Sequence, residues 1–473
     1  MILTDGARPD VMNELIQRGE MPNLCRHVIE NGDFSKATSV FPSTTGPAYV
    51  PLLMGLFPGT ANMPGIRWFD KKQYAKSGWN SEQFRSYVGV ESFLMNSDLN
   101  PNFKTLFEIF PNSASVFNSV TRGVKPENEL GGKIRFLYWL YAHWTHHWTF
   151  IDRMAIEHLV EVAKRKYKFS FVVFPGVDAI SHVSHPRAEK VIQAYHDLDS
   201  GIGRLAEELK NQGNYESTGI LVTADHGLSK TETHFGIPEF FMERKVKTLY
   251  HPKIFNRNPK ITVAISGNGM ANVYVKPQSG DWADFTPHEE LKGYVEELIN
   301  SEPIELAITR NSENEILITG KEGVGSLDKI SEDEITYNFS GNDPLRIGDL
   351  PNRMTLNESL EHTFDSDFPD ALAQIVQIFK SSRTGDLLLS AKEGFDLREA
   401  HERPEHFSSH GALSKNHMSV PFLTNFKVNR RFIRTADAFP TILELLGEEV
   451  PSGIDGRSLV SEIKELEKIE NNL

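Results

Sequence analysis

The chain has 473 residues and a formal net charge of −14. One core stops growing near ~250–300 residues, so this length implies two domains or one core with a large insertion. The acidic balance excludes general binding to nucleic acid, which needs a basic footprint, and no stretch approaches the ~20 apolar residues of a membrane span.

In chain order, the opening Met-Ile-Leu-Thr-Asp carries neither the basic nor the apolar part of a secretion signal. This points to a cytoplasmic protein, or to a periplasmic or secreted one if the natural start lies upstream. Ile2-Leu3 is a short apolar run ending at Asp5-Gly6. Cys25 is the only cysteine, which excludes an intramolecular disulfide and fits a small buried residue on an early helix. Phe41 to Pro47 (FPSTTGP) sets hydroxyls where a helix begins. Such hydroxyls meet free backbone N–H groups and a positive dipole end, though an ordinary N-cap run looks the same. Residues 134–150 (IRFLYWLYAHWTHHWTF) read as a helix packed on the core or a lid, and secondarily as a surface for an apolar substrate group or a membrane interface.

Phe169 to Phe174 (FSFVVF) runs into Pro175-Gly176 and Asp178. Arg187 to Gln212 repeats apolar residues near the helical period and stops at Gly213. Gly219 to Val222 runs into Ala224-Asp225-His226-Gly227. Across 241–348 charges rise and short alternating stretches appear at Ala271 to Val275 and Glu315 to Thr319, which predicts an inserted α+β subdomain. Asp370 to Phe379, opened by Pro369, and Ala438 to Leu446 read as helices. Leu387 to Leu389 reads as another buried strand, with a turn at Gly394, and 462–473 as a charged, frayed helix.

Apolar strands alternating with helices predict an α/β fold with ligands at the carboxyl ends of the strands. Asp and His gather there. Asp5 follows the first strand, Asp178 and His182 share DAISH, Asp225 and His226 are adjacent in ADHG, and His410 sits in SSHGA. Carboxylate with neutral imidazole is the donor set for zinc and similar divalent ions. Singly, each residue reads as a helix cap or a hydrogen-bonded core histidine; jointly, on one rim, they read as a site.

These motifs, in this order, resemble the type I phosphodiesterase/nucleotide pyrophosphatase branch of the alkaline phosphatase superfamily. DGARPD at 5–10 is similar to that family's opening metal turn. FPSTTGP, continuing to Met54-Gly55-Leu56-Phe57-Pro58, is similar to its nucleophile segment, with Thr45 rather than Thr44 matching the attacking hydroxyl. DAISH and ADHG match its later metal turns, HGALSKNHMSVPFL carries the last His, and DAFPTILELLG with DGRSL resembles the closing helix and tail. The match covers 1–70, 165–235 and 395–460. It implies a three-layer αβα sandwich with a mostly parallel sheet, built from 1–240 and 349–473 around the 241–348 insertion.

The resemblance also implies two divalent ions, zinc by preference, with manganese or iron accepting the same ligands. Asp178, His182 and His410 hold one in this scheme, and Asp5, Thr45, Asp225 and His226 the other. His185, His234, His401, His406 and His417 are left over, with His234 a candidate to act on substrate or through a neighbour. One departure stands out. Where the family places a phosphate-binding Asn, this chain has Ile66, with Arg67 beside it. Arg67 is a candidate phosphate ligand or a salt-bridge partner, and its position sets nucleotide substrates in doubt. The expected function is cleavage of phosphate diesters or pyrophosphate bonds in a small or lipid-like molecule through a phospho-threonine. A phosphomonoesterase or phosphonate hydrolase is the first alternative, and a non-catalytic binder of phosphoryl ligands the second.

Overall fold

A computed structural model describes residues 1–77, 83–132, 141–142, 144–145, 147–251, 258–348, 350–399, 402 and 405–460. Much of the aromatic stretch 134–150, His401 and the tail 462–473 lie outside the described residues. Within that stretch Tyr141 and Trp144 are exposed, while Trp148 is buried at the start of a helix.

The main sheet has eight strands: β1 (Ile2–Thr4), β2 (Asp33–Thr38), β3 (Ser113–Val116), β4 (Glu129–Leu130), β5 (Phe169–Phe174), β6 (Leu221–Thr223), β7 (Ser419–Thr424) and β8 (Ile433–Arg434). They lie in the order β8-β2-β7-β6-β1-β5-β3-β4. All neighbours pair parallel except β7, which runs antiparallel to both β2 and β6. β1 is central, with Ile2 level with Val172 of β5 and Val222 of β6. The central strands β1, β5 and β6 are largely apolar runs because helices cover both faces. Phe171 of β5 meets Tyr49 of helix α1 (Tyr49–Met54), with ring centres 6.0 Å apart. Phe174, on the opposite face by the two-residue period of a strand, lies against Gly201. That glycine belongs to helix α4 (Glu189–Asn211), which packs on α2 (Trp148–Lys164). The predicted αβα layering with a mostly parallel sheet is what forms.

A second, nine-stranded sheet is antiparallel except at one edge. It runs from Thr248–Leu249 to Met354–Thr355 and takes Leu387–Ala391 as a middle strand, between Met270–Val275 and Ile304–Arg310. That strand lies beyond residue 348 in sequence, where no local pattern could show which sheet it joins. Helix α5 (Ala371–Ile378) packs in the core of this sheet, and Phe41, just before the Ser-Thr-Thr turn, packs in the same core.

Candidate active site

The carboxyl ends of β1, β5 and β6 bring three loaded turns together. Helix α3 (Gly176–His182) starts directly after β5 and carries Asp178 and His182 one turn apart. The Asp178 N–H donates to Asp5 O at 3.1 Å, so the first two turns lie side by side. Gly6 permits this approach: its φ is +71°, and a Cβ there would meet the Asp178 Cβ at 2.9 Å. His410 reaches the same rim because antiparallel β7, which follows it, begins where the parallel strands end. Ser43 ties the nucleophile turn to this segment, accepting from the Gly411 N–H at 3.2 Å and donating to Ala412 O at 2.9 Å.

Thr45 is half-buried. Its Oγ1 lies 3.1 Å from His226 Nε2 and 3.4 Å from Asp5 Oδ1. His226 Nε2 is 3.3 Å from Asp225 Oδ2 and 3.4 Å from Asp5 Oδ1. Beside this group, Asp178 Oδ1 is 3.3 Å from His182 Nε2 and 3.8 Å from His410 Nε2. Two sets, Asp5/Asp225/His226 and Asp178/His226/His410, each offer ligand atoms all within 4.8 Å of one another. His226 therefore stands between the two groups, while His182 approaches through Asp178.

The proton positions on these imidazoles follow from their partners. Nδ1 of His226 faces Gly227 O at 3.1 Å, Nδ1 of His182 faces Ser408 O at 2.9 Å, and Nδ1 of His410 faces Ser43 O at 3.1 Å. A carbonyl only accepts, so each Nδ1 holds the proton and each Nε2 presents a lone pair to carboxylate oxygens. Lone pair against carboxylate is repulsive unless a cation lies between. Asp178 Oδ1 and Asp225 Oδ2 are buried without a well-formed hydrogen bond, as open metal donors would be. Without a cation, the buried charges disturb one another. Burial, then Asp225 and Asp178, push Asp5 well above the usual carboxylate range. Burial raises Asp225 too. Against burial, His182 and His410 hold Asp178 below its usual value, and against burial Asp178 pushes His182 up to about 8. The residues present fit divalent metal.

Other residues fall into place around this centre. Tyr49, four residues after Thr45, donates its hydroxyl to Asp5 Oδ2 at 3.0 Å. Its role was not anticipated from sequence, although the one-turn spacing from Thr45 is a usable signal. His417 is enclosed between the Ala412 N–H at 3.0 Å and Ser229 Oγ at 2.7 Å, and its carbonyl accepts from the Gly227 N–H. His234 bridges Asp396 at 2.6 Å and Glu405 at 2.8 Å. His185 is exposed. His406, unassigned by sequence, lies with its ring centre 4.4 Å from that of His182.

Arg67 is buried. Its Nη1 lies 3.4 Å from Glu399 Oε2 and its Nε donates to Ser86 Oγ at 3.1 Å. Among the described residues these are its polar partners, so the guanidinium is engaged by the protein rather than paired with any of the seven implied ligands. Burial, opposed by Arg67, pushes Glu399 up to about 7.

Comparison with known proteins shows likeness in sequence and in fold. The chain is 22% identical over 231 residues to GPI ethanolamine phosphate transferase 1 of Gibberella zeae, a match covering 48% of this chain and 22% of that protein. The chain thus spans about a fifth of the length of that curated relative. Phosphonoacetate hydrolase from Sinorhizobium meliloti 1021, solved with phosphonoformate, superposes with a TM-score of 0.57 at 15% identity, covering 94% of this chain and 95% of that one. Murine ectonucleotide pyrophosphatase/phosphodiesterase 5 gives 0.56 at 13% identity, covering 98% of both chains. The profile described as type I phosphodiesterase/nucleotide pyrophosphatase matches residues 1–413. With most of its length matched, the chain belongs to the type I phosphodiesterase/nucleotide pyrophosphatase family.

Proposed function

We propose that the chain is a metal-dependent hydrolase that cleaves phosphate diesters through a covalent ester on Thr45. The observation that carries this reading is the position of Thr45 Oγ1, 3.1 Å from His226 Nε2 and 3.4 Å from Asp5 Oδ1, beside two carboxylate–imidazole groups. Asp178, His182 and His410 would hold one metal, and Asp5, Thr45, Asp225 and His226 the other. Zinc is the first choice for this donor set, and manganese or iron the next. When bound, the pair supplies the positive charge that eases ionisation of a hydroxyl and offsets charge on the phosphoryl oxygens.

The chain's own residues do the rest. The carbonyls of Ser43, Ser408 and Gly227 hold the three imidazoles in one tautomer and orientation. The Gly6 N–H and the Tyr49 hydroxyl orient Asp225 and Asp5. Thr45, fixed on its turn by Ser43, gives up its hydroxyl proton to solvent water and forms a bond from Oγ1 to phosphorus. The bond to the leaving oxygen breaks, and its electron pair leaves with that oxygen. Water then attacks the phosphothreonine, and the Thr45 oxygen leaves with its electrons and regains a proton.

Hydrolysis of phosphonates is the second reading. Ile66 stands where the family has its phosphate-binding Asn, and the phosphonoacetate hydrolase likeness covers nearly the whole chain. One panel separates the readings: an aryl diester, an aryl monoester and a phosphonate, each offered to pure protein with zinc or manganese. Diester hydrolysis is expected to be fastest. Thr45→Ala is expected to lose on the order of 10³-fold or more, and mass spectrometry of quenched wild type should find phosphate on Thr45. A Thr45→Ala variant that keeps most of its rate removes the covalent route.

A further inference from the structure

The imidazoles of the site form a row. The rings of His226 and His410 are stacked with centres 3.8 Å apart, His410 and His182 are 5.2 Å apart, and His182 and His406 are 4.4 Å apart. Thr45 Oγ1 sits at the His226 end. His406 occupies the other end, and its place is fixed. The next residue, Phe407, donates its N–H to His182 O at 2.8 Å, and its carbonyl accepts from the Thr231 N–H at 2.9 Å.

The tautomer of His406 can be read from its neighbour. Asn268 Nδ2 lies 3.1 Å from Glu402 Oε2, 3.4 Å from Asp396 Oδ2 and 3.3 Å from His406 Nδ1. The two carboxylates identify this atom as the amide nitrogen, which cannot accept. The Nδ1 that faces it is therefore the unprotonated one, and the proton of His406 lies on Nε2. Among the described residues that N–H meets no acceptor, whereas both ring nitrogens of His182, His226, His234, His410 and His417 are engaged.

We infer that His406 is a further substrate-contacting residue whose Nε2–H donates a hydrogen bond to the leaving-group oxygen of the phosphate ester. The inference rests on the hydrolase reading above. In-line displacement sets the leaving oxygen on the side of phosphorus away from the nucleophile, and His406 is at the end of the imidazole row away from Thr45. As the bond from phosphorus to the leaving oxygen breaks, negative charge grows on that oxygen. The proton stays on His406 and stabilises the charge, and the alkoxide takes its own proton from water afterwards. A hydrogen bond of this kind matters most where the leaving group is a poor one.

The test compares wild type with His406→Phe and His406→Gln on two diesters, one with an alkyl and one with a p-nitrophenyl leaving group. His406→Phe is expected to lose about 10- to 100-fold on the alkyl ester, as for a lost hydrogen bond to a charged group, and much less on the nitrophenyl ester. His406→Gln, which keeps a side-chain N–H, is expected to recover most of the alkyl rate. Metal content should be equal in all three proteins, and ¹⁵N NMR should find the His406 ring protonated on Nε2. Equal loss on both esters, loss of metal in His406→Phe, or an Nδ1–H ring overturns the inference. If wild type cleaves neither ester, or Thr45→Ala cleaves both, the hydrolase reading itself has failed.

Discussion

At the scale of single residues, five of the seven proposed ligands lie beside one hydrogen-bond partner that aims them: a donor for Asp5 and Asp225, a carbonyl acceptor for His182, His226 and His410. Tyr49 is the clearest case. Its hydroxyl holds Asp5 Oδ2, which leaves Oδ1 facing His226 and Thr45. Tyr49→Phe removes one hydrogen bond and almost no volume. Partners of this kind are worth roughly 10- to 100-fold in metal affinity. Competition with a chelator should therefore show metal lost from the variant at about tenfold lower chelator concentration, and an unchanged retention curve would remove the role. Asp5, Asp178, Asp225 and His226 were legible as candidates because each stands within four residues after an apolar strand, while His182 and His410 lie farther off and were marked by the motifs DAISH and SSHGA. For Arg67 the salt bridge was one of two readings the sequence left open, but its partner Glu399 was not legible, since it lies 332 positions away and no local pattern announces it.

At the scale of elements, helix α3 presents Asp178 and His182, and its start is held from outside. Asp152, in the second turn of α2, accepts the Gly176 N–H at 3.0 Å and is buried. Burial, with Asp197 adding to it, pushes Asp152 up to about 8 from an ordinary value of 3.8. A carboxyl raised on folding keeps its proton where the unfolded chain has lost it, so this group costs stability as pH rises from about 4 to about 8. Asp152→Asn retains an acceptor for Gly176 and cannot ionise. It should match wild type near pH 4 and gain on it by up to about 1.4 kcal/mol for each pH unit toward pH 8, read by denaturant melts across that range. A wild-type advantage at pH 8 would contradict the assignment. Helix positions were well foreseen: Arg187 to Gln212 and Ala438 to Leu446 form as Glu189–Asn211 and Ala438–Leu445, their strong apolar periodicity marking them out. Ser113–Val116 was not foreseen, because four small or short residues carry no strand signature until β5 pairs with them.

At the scale of the whole molecule, the two sheets meet behind the nucleophile turn through a buried polar network. Arg434, from β8, grips Asp370 with Nε at 2.7 Å and Nη2 at 2.6 Å. Asp370 accepts from Gln374 at 2.8 Å, and Gln374 Oε1 accepts the Phe41 N–H at 3.0 Å. Gln377 donates to Phe41 O at 2.9 Å and accepts the Gly59 N–H at 2.7 Å. Gln377→Leu would strand two buried backbone groups, at roughly 2–4 kcal/mol. It should lower both the unfolding midpoint and the Thr45-dependent rate while metal content holds; a stability loss below about 1 kcal/mol would show the network to be dispensable. The αβα plan was readable because its central strands are continuously apolar. The make-up of the second sheet was not, since its middle strand Leu387–Ala391 is separated from the nearer-in-sequence of its two partners by the whole of 311–386.

The reversed strand β7 has a consequence for how the protein is made. Six of the seven proposed ligands have left the ribosome once residue 226 has, but His410 arrives only after the chain has threaded through the whole second sheet. Long-range closure of this kind is slow. The nascent chain therefore carries an incomplete, strongly anionic half-site while the 184 residues from 226 to 410 are made, and metal capture becomes a late event in the birth of the molecule.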